Sequence, residues 1–134
     1  MKKLIIYSDG GSRGNPGPAG IGVVIKNEKG KILDEISRFI GKTTNNQAEY
    51  QALLAGLNKA VELKASEVQC FLDSELVVKQ LNKEYKVKDK DLAAQFIKVW
   101  NLLPNFKKIT FKHVFREKNF EADKLVNKAL DENT

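Results

Sequence analysis

Apolar runs bounded by polar turns mark the first forty residues and predict three strands. The segments Lys3–Asp9, Ile21–Lys26 and Lys31–Ile40 carry the apolar runs and alternation typical of strands. Asn27–Gly30 is a favourable turn sequence, so the three strands form an antiparallel meander in this prediction. The Gly/Pro-rich run Gly10–Gly20 lies between the first two strands and predicts a tight loop.

Helical spacing replaces this pattern in the middle of the chain. One helical face carries Tyr50, Leu53, Leu54, Leu57 and Val61. Thr44 precedes this run as the predicted N-cap, and Gln47 is predicted to reach back to it in a capping box.

Strands and helices alternate in the rest of the chain. The predicted strands are Val68–Leu72 and Lys108–Phe115, and the predicted helices are Ser74–Leu81, Asp89–Leu103 and Phe120–Leu130. The order β-β-β-α-β-α-α-β-α predicts an α/β fold, a five-stranded mixed sheet with helices packed on it. We expect residues 1–134 to form a single domain.

Composition narrows the class of protein. No apolar run approaches the roughly 18 residues that span a membrane, and the basic N-terminus is too briefly apolar for a signal peptide. Cys70 is the only cysteine, which excludes an intramolecular disulfide and a thiolate zinc site. We therefore expect a cytoplasmic protein. Its net charge of +6 is compatible with a polyanionic partner without identifying one.

Four carboxylates occupy informative positions. Asp9 and Asp73 end predicted strands, while Glu49 and Asp123 lie in the first turns of predicted helices. Each has an ordinary explanation: a turn at Asp9 with Gly10, a helix cap at Asp73, and favourable helix-dipole interactions for the other two. If the acids met at one sheet edge, their repulsion would call for a cation such as Mg²⁺. Two such ions, about 4 Å apart, would suit phosphodiester hydrolysis.

Other chemistries fit the sequence poorly. Gly41-Lys42-Thr43 lacks the earlier glycine of a phosphate-binding loop, and no dinucleotide fingerprint or G-x-S-x-G elbow is present. Cys70 lies inside an apolar strand, which indicates a core position.

Four segments in order resemble the motifs of the type I ribonuclease H family, and the resemblance extends over essentially the whole chain. They are Tyr7–Gly20, Thr43–Tyr50, Leu72–Val77 and His113–Leu125.

The resemblance implies a ribonuclease H-like fold and a metal-dependent endonuclease that hydrolyses the RNA strand of RNA–DNA hybrids. It implies 5′-phosphate and 3′-hydroxyl products and a requirement for two Mg²⁺ ions, with Mn²⁺ as a substitute. The matching metal ligands, which would also be catalytic, are Asp9, Glu49, Asp73 and Asp123. We expect a monomer, and the sequence leaves open whether double-stranded RNA is also cut.

The resemblance also implies substrate contacts around this site. The matching positions are Gly11, Asn15, Asn45, Asn46 and Ser74. Asparagine amides donate and accept hydrogen bonds, which suits an RNA 2′-hydroxyl. Helix capping remains an alternative for Asn45 and Asn46, and backbone geometry is favoured over direct contact for Gly10, Gly11 and Gly14.

Relatives use a histidine near the last acid to assist product release or protonation. His113 is the only histidine, but it shares the apolar parity of its strand, which equally predicts a core or sheet-edge position. Arg116 is nearer the end of the strand and permanently cationic, so we slightly favour it for this catalytic role.

Two alternatives and one departure accompany this interpretation. A non-catalytic nucleic-acid-binding module of the same fold is less consistent with four retained acids, and an integrase or resolvase is less consistent with the Gly-Asn-Pro-Gly and Thr-Asn-Asn segments. The connection Lys83–Lys90 is too short for the additional helix and basic protrusion of some relatives. Weaker or less selective hybrid binding is one expectation from that difference.

Overall fold

A five-stranded mixed sheet forms the centre of the molecule, as predicted, in a computed structural model that describes residues 2–133. The strands are β1 (Lys3–Ser12), β2 (Gly17–Asn27), β3 (Ile32–Thr43), β4 (Glu67–Leu72) and β5 (Lys108–His113). Their spatial order is β3-β2-β1-β4-β5. The first three strands form an antiparallel meander, while β4 joins β1 and β5 joins β4 in parallel.

Helices cover both faces of the sheet. They are α1 (Asn45–Glu62), α2 (Glu75–Leu81), α3 (Lys90–Leu102) and α4 (Phe120–Glu132). A Cβ built on Gly56 of α1 would lie 3.1 Å from the Val23 side chain, whereas one on Gly22 would lie 2.1 Å from the Ala122 carbonyl oxygen of α4. Because consecutive strand residues face opposite sides, α1 and α4 pack on opposite faces.

The Gly/Pro-rich run is mostly strand, so the predicted tight loop is wrong. Strand β1 continues through Gly11, which pairs with Gly20 of β2, and only residues 13–16 remain as the hairpin turn. A Cβ on Gly10 would lie 2.2 Å from the carbonyl carbon of Ala48 on α1. Glycine is therefore required at Gly10 because a helix backbone approaches the strand there, and this requirement comes from residues far along the chain.

The predicted N-cap of α1 is confirmed, but the capping box is only half formed. The Gln47 backbone N–H donates to Thr44 Oγ1 at 3.2 Å. The Gln47 side-chain oxygen instead accepts a hydrogen bond from Gln95 Nε2 at 3.0 Å, which ties α1 to α3.

The remaining predicted elements are present with small changes of boundary. The last strand ends at His113 rather than Phe115, because a 3-10 turn over Arg116–Asn119 takes the chain into α4. Within residues 2–133, no helix combines the length and apolar character that crossing a membrane requires.

Candidate active site

Parallel pairing of β1 and β4 brings two of the predicted acids together. Ser8 pairs with Leu72, the last residue of β4, so Asp9 and Asp73 follow at the same level. Asp9 does not end its strand as predicted; it is the first β1 residue beyond the end of β4, and β1 continues beside β2. The open sheet edge predicted from the sequence therefore arises where β4 stops.

Glu49 joins this pair from α1. One carboxylate oxygen each from Asp9, Glu49 and Asp73 lies within 4.8 Å of the other two. The Gly10 backbone N–H donates to Glu49 Oε1 at 3.4 Å. Glu49 Oε2 is buried and accepts no hydrogen bond from the described residues. The missing side chain at Gly10 thus lets α1 carry a carboxylate close to the sheet edge.

Asp123 lies at the rim of the same cleft, in the first turn of α4. It is not part of the close carboxylate group formed by the other three acids. Its Oδ1 lies 3.7 Å from Arg116 Nη2, and its Oδ2 accepts a hydrogen bond from Asn127 Nδ2 at 3.4 Å. The cleft has a volume of about 400 Å³.

Burial and mutual repulsion make full ionisation of the close group unfavourable. Burial, followed by the charge of Asp73, raises the pKa of Asp9 to about 7. Burial, followed by the charge of Asp9, raises the pKa of Glu49 well above its ordinary range. Burial also raises the pKa of Asp73, while a hydrogen bond from Asn119 and the charge of Arg116 oppose that rise. Without a cation these shifts favour the protonated carboxyl groups, whereas a bound cation would favour the ionised ones.

The donor set fits a hard divalent cation. Such ions prefer oxygen ligands, and the three close carboxylates supply them from three different elements. The buried, unpaired Glu49 Oε2 is an acceptor that a cation would satisfy. These three acids are among the four that the sequence predicts as metal ligands.

Asn119 is a residue of the site that the sequence analysis did not single out. Its buried side-chain amide donates to the Ser8 carbonyl oxygen at 2.9 Å and to Asp73 Oδ2 at 3.4 Å. It thereby links the turn before α4 to the ends of β1 and β4. No local pattern signals this contact, because both partners are distant in sequence.

The predicted substrate-binding residues fall into two groups. The residues Gly11, Asn45, Asn46 and Ser74 line the cleft with the acids. Asn15 lines a neighbouring depression, which Asn46 also lines. A Cβ on Gly11 would lie 3.8 Å or more from its neighbours, and its φ is not left-handed, so the backbone-geometry alternative has no support at this position.

Hydrogen bonds already hold part of this surface in place. Asn45 Oδ1 accepts from the Ser12 backbone N–H at 2.8 Å and from the Ser12 hydroxyl at 3.1 Å. Asn15 Oδ1 accepts from the Asn45 backbone N–H at 3.0 Å. The Ser74 hydroxyl caps α2 by accepting from the Val77 N–H at 3.3 Å. The contacts of Asn45 fix the β1–β2 hairpin against the start of α1. Among the described residues, the Asn45 side-chain nitrogen has no hydrogen-bond acceptor.

The two candidates for assisting turnover occupy different environments. Arg116 lines the cleft beside Asp123. His113 is exposed at the end of β5, an edge strand, so of the two positions predicted from its parity the sheet-edge one is confirmed and the core one is wrong. The His113 ring packs against Phe115 at nearly right angles, with centroids 5.7 Å apart.

Comparison with known proteins agrees with this geometry. The model of the reverse transcriptase-like family matches residues 7–129. The chain is 45% identical over 130 residues to Bifunctional protein Rv2228c of Mycobacterium tuberculosis (strain ATCC 25618 / H37Rv), covering 96% of this chain and 36% of that protein. It is 43% identical over 126 residues to Ribonuclease HI of Halobacterium salinarum (strain ATCC 700922 / JCM 11081 / NRC-1), covering 94% and 63%. This chain thus spans between about a third and two thirds of these relatives' lengths.

Solved structures show the same similarity. RNase H1 of the halophilic archaeon Halobacterium salinarum NRC-1 has a TM-score of 0.94 and 42% identity, covering 97% of this chain and 98% of that one. LC11-RNase H1, solved in complex with RNA/DNA hybrid, has a TM-score of 0.92 and 48% identity, covering 96% and 97%. With its fold, its acid cluster and its sequence all in agreement, the chain belongs to the ribonuclease H type I family.

Proposed function

We propose that this chain is a metal-dependent endonuclease that hydrolyses the RNA strand of RNA–DNA hybrids and leaves 5′-phosphate and 3′-hydroxyl ends. The observation that carries the proposal is the group of three carboxylates within 4.8 Å of one another, with one buried oxygen unpaired. The hybrid as substrate is supported by the similar LC11-RNase H1, which was solved with an RNA/DNA hybrid.

Asp9, Glu49 and Asp73, with Asp123 at the rim, would hold two Mg²⁺ ions, for which Mn²⁺ would substitute. Bound Mg²⁺ supplies an activated water and stabilises the leaving oxygen. Burial raises the pKa of Asp9 and of Glu49, so both carboxyl groups would have to lose their protons for the ions to bind. Asn119 holds Asp73 in position through its amide.

The surrounding residues would hold and orient the strand that is cut. The Asn45 amide oxygen is engaged with Ser12, so its amide nitrogen is the group available to donate to a 2′-hydroxyl. Asn46, Ser74 and the Gly11 backbone would add contacts in the cleft, and Asn15 would add one in the neighbouring depression.

Arg116 is the residue we propose to assist turnover, rather than His113. Its permanent charge lies at the rim of the cleft beside Asp123, where it would stabilise a phosphate as it leaves. Cleavage rates of Arg116→Ala and His113→Ala test this assignment. We expect the arginine variant to be slower, and a loss confined to the histidine variant would reverse the roles.

Further parts of the proposal concern the whole protein. We propose that residues 1–134 act as one ribonuclease H-like domain, as a monomer, in the cytoplasm. A core shared by the sheet with α1, α2 and α3 supports the first point, and α4 packs on the opposite face of the same sheet. Whether double-stranded RNA is a second substrate is an outcome of the experiment below.

Matched RNA–DNA, RNA–RNA and DNA–DNA duplexes, incubated with Mg²⁺, Mn²⁺ or EDTA, test the function directly. We expect cleavage of the RNA strand of the hybrid, lost in EDTA and in Asp73→Asn. Glu28→Gln, which removes an exposed carboxylate in the β2–β3 turn, is the matched control. Near-normal cleavage by Asp73→Asn would contradict the metal site. Absence of cleavage with every divalent ion would leave the non-catalytic binding module.

A further inference from the structure

Two exposed phenylalanines, which we call the aromatic rim, lie outside the cleft lining but close in sequence to two residues that line it, Arg116 and Asp123. Phe115 is 72% exposed and Phe120 is 54% exposed. They lie on either side of the 3-10 turn Arg116–Asn119. A lone exposed apolar side chain is ordinary, but two aromatic rings beside a charged cleft form a surface that a ligand can use.

The chain brings both rings to the edge of the sheet where the acids lie. Leu72 pairs with His113, and the Val114 N–H donates to the Leu72 carbonyl oxygen at 2.9 Å, so Asp73 and Phe115 follow the ends of two neighbouring parallel strands. On α4, Phe120 precedes Asp123 by three residues, a spacing that puts two side chains on one helix face. The rim therefore borders the side of the cleft occupied by Arg116 and Asp123.

The surroundings of the rim are basic. Lys124 Nζ lies 5.9 Å from the centroid of the Phe120 ring, and the exposed Lys112 lies on β5 before Phe115. The turn between the rings carries the cations Arg116 and Lys118 and one exposed acid, Glu117. His113 contacts Phe115 edge to face and holds the ring at the surface. Cations beside an accessible aromatic face are the combination that binds single-stranded nucleic acid, because phosphates meet the cations and a base stacks on the ring.

We propose that Phe115 stacks on an unpaired nucleotide of the strand that is cut, on one side of the cleavage position. The inference rests on the proposed function, because the acids determine which strand lies beside the rim. In a fully paired duplex both faces of each base are covered by neighbouring pairs. The ring therefore finds a free base only at an overhang, a frayed end or a junction. The chain binds such hybrids more tightly than blunt ones.

Binding of three fluorescein-labelled hybrids tests this inference by fluorescence anisotropy, with Ca²⁺ in place of Mg²⁺. One hybrid is blunt, one carries a short 5′ RNA extension and one a short 3′ RNA extension. Because the rim lies on one side of the acids, one extension should tighten binding and the other should not. Phe115→Leu should weaken binding of the favoured extended hybrid about tenfold, with blunt-hybrid affinity unchanged. Phe115→Tyr keeps the ring and should retain the preference.

Ile97→Ala is the matched control, because Ile97 is 57% exposed on α3, a helix that contributes no residue to the cleft lining, whereas Phe115 is followed directly by Arg116, which lines it. Unchanged binding of both extended hybrids by Phe115→Leu would overturn the inference, as would an equal loss for blunt and extended hybrids. Cleavage of the blunt hybrid in Mg²⁺ is measured in parallel. Wild-type protein that cuts no hybrid refutes the proposed function, whereas normal cleavage without an extension preference refutes the rim alone.

Discussion

Replacing Asp9 with asparagine should stabilise the metal-free protein at neutral and higher pH, even as it removes a proposed metal ligand. Asp9 is buried beside Glu49 and Asp73, and its pKa is raised to about 7 from an ordinary value of 3.8. The folded protein therefore binds this proton more tightly than the unfolded chain does. Its stability falls as the pH rises from about 4 to about 7, because ionisation is favoured in the unfolded state.

The size of the effect follows from that difference in pKa. At about 1.4 kcal/mol per pKa unit, the step from 3.8 to about 7 corresponds to about 4 kcal/mol. Glu49 competes for the same proton, since its pKa is raised partly by the charge of Asp9. We therefore expect about half of this value, roughly 2 kcal/mol, at pH 8. For a chain of this length that is a rise in Tm of about 8 °C.

Thermal unfolding in EDTA from pH 4 to pH 8 measures the difference between wild type and Asp9→Asn. The two proteins should unfold together near pH 4 and separate as the pH rises. Adding Mg²⁺ should stabilise the wild type more than the variant, because the ion binds the folded acids. Glu28→Gln, at an exposed carboxylate, should show no pH-dependent gain. An Asp9→Asn protein no more stable than wild type at pH 8 would refute the electrostatic reasoning.

Three further substitutions test contacts that hold the site together. Gly10→Ala puts a Cβ 2.2 Å from the Ala48 carbonyl carbon. We expect thermal unfolding to show a loss of stability of about 1–3 kcal/mol, and we expect a marked fall in the cleavage rate. Normal activity would show that α1 shifts to accept the methyl group without disturbing the site. Tyr50→Phe leaves the buried Gln80 oxygen without its 2.7 Å hydrogen bond. The free energy of unfolding measured in urea should fall by about 1–3 kcal/mol, while the cleavage rate stays unchanged. An unchanged free energy of unfolding would argue against that contact. Asn119→Ala should cost about 1–3 kcal/mol and slow cleavage, and unaltered kinetics would remove its positioning role.

The order of strands and helices was predictable because apolar residues recur at a different spacing in strands than in helices. The Thr44 N-cap and the neighbouring positions of Asp9 and Asp73 also followed from local chemistry and from the parallel-sheet rule. These features depend on residues close together in the chain, or on a topology that the element order implies.

Features fixed by distant packing were not predictable. The sequence predicted a loop at Gly10, but the residue lies in a strand. Glycine is required there because the backbone of Ala48, on a later helix, approaches the strand too closely for a Cβ. His113 shares the parity of apolar residues, yet the strand ends there and leaves the ring exposed. Asn119 has no nearby partner, and its role depends on where β1 and β4 stop. The spacing of apolar residues predicts which face of a strand or helix a residue occupies. It does not predict which distant residues pack against that face.

The Asn119 contact has a consequence for the order of events during synthesis. Its partner Ser8 lies 111 residues earlier, so the two cannot meet before residue 119 has been synthesised. Contacts of such long sequence separation form late, because the intervening chain must first be ordered. Asp123 follows four residues after Asn119, in the first turn of α4. A nascent chain that has not reached this segment therefore carries Asp9, Glu49 and Asp73 without the amide that holds Asp73 and without the fourth acid.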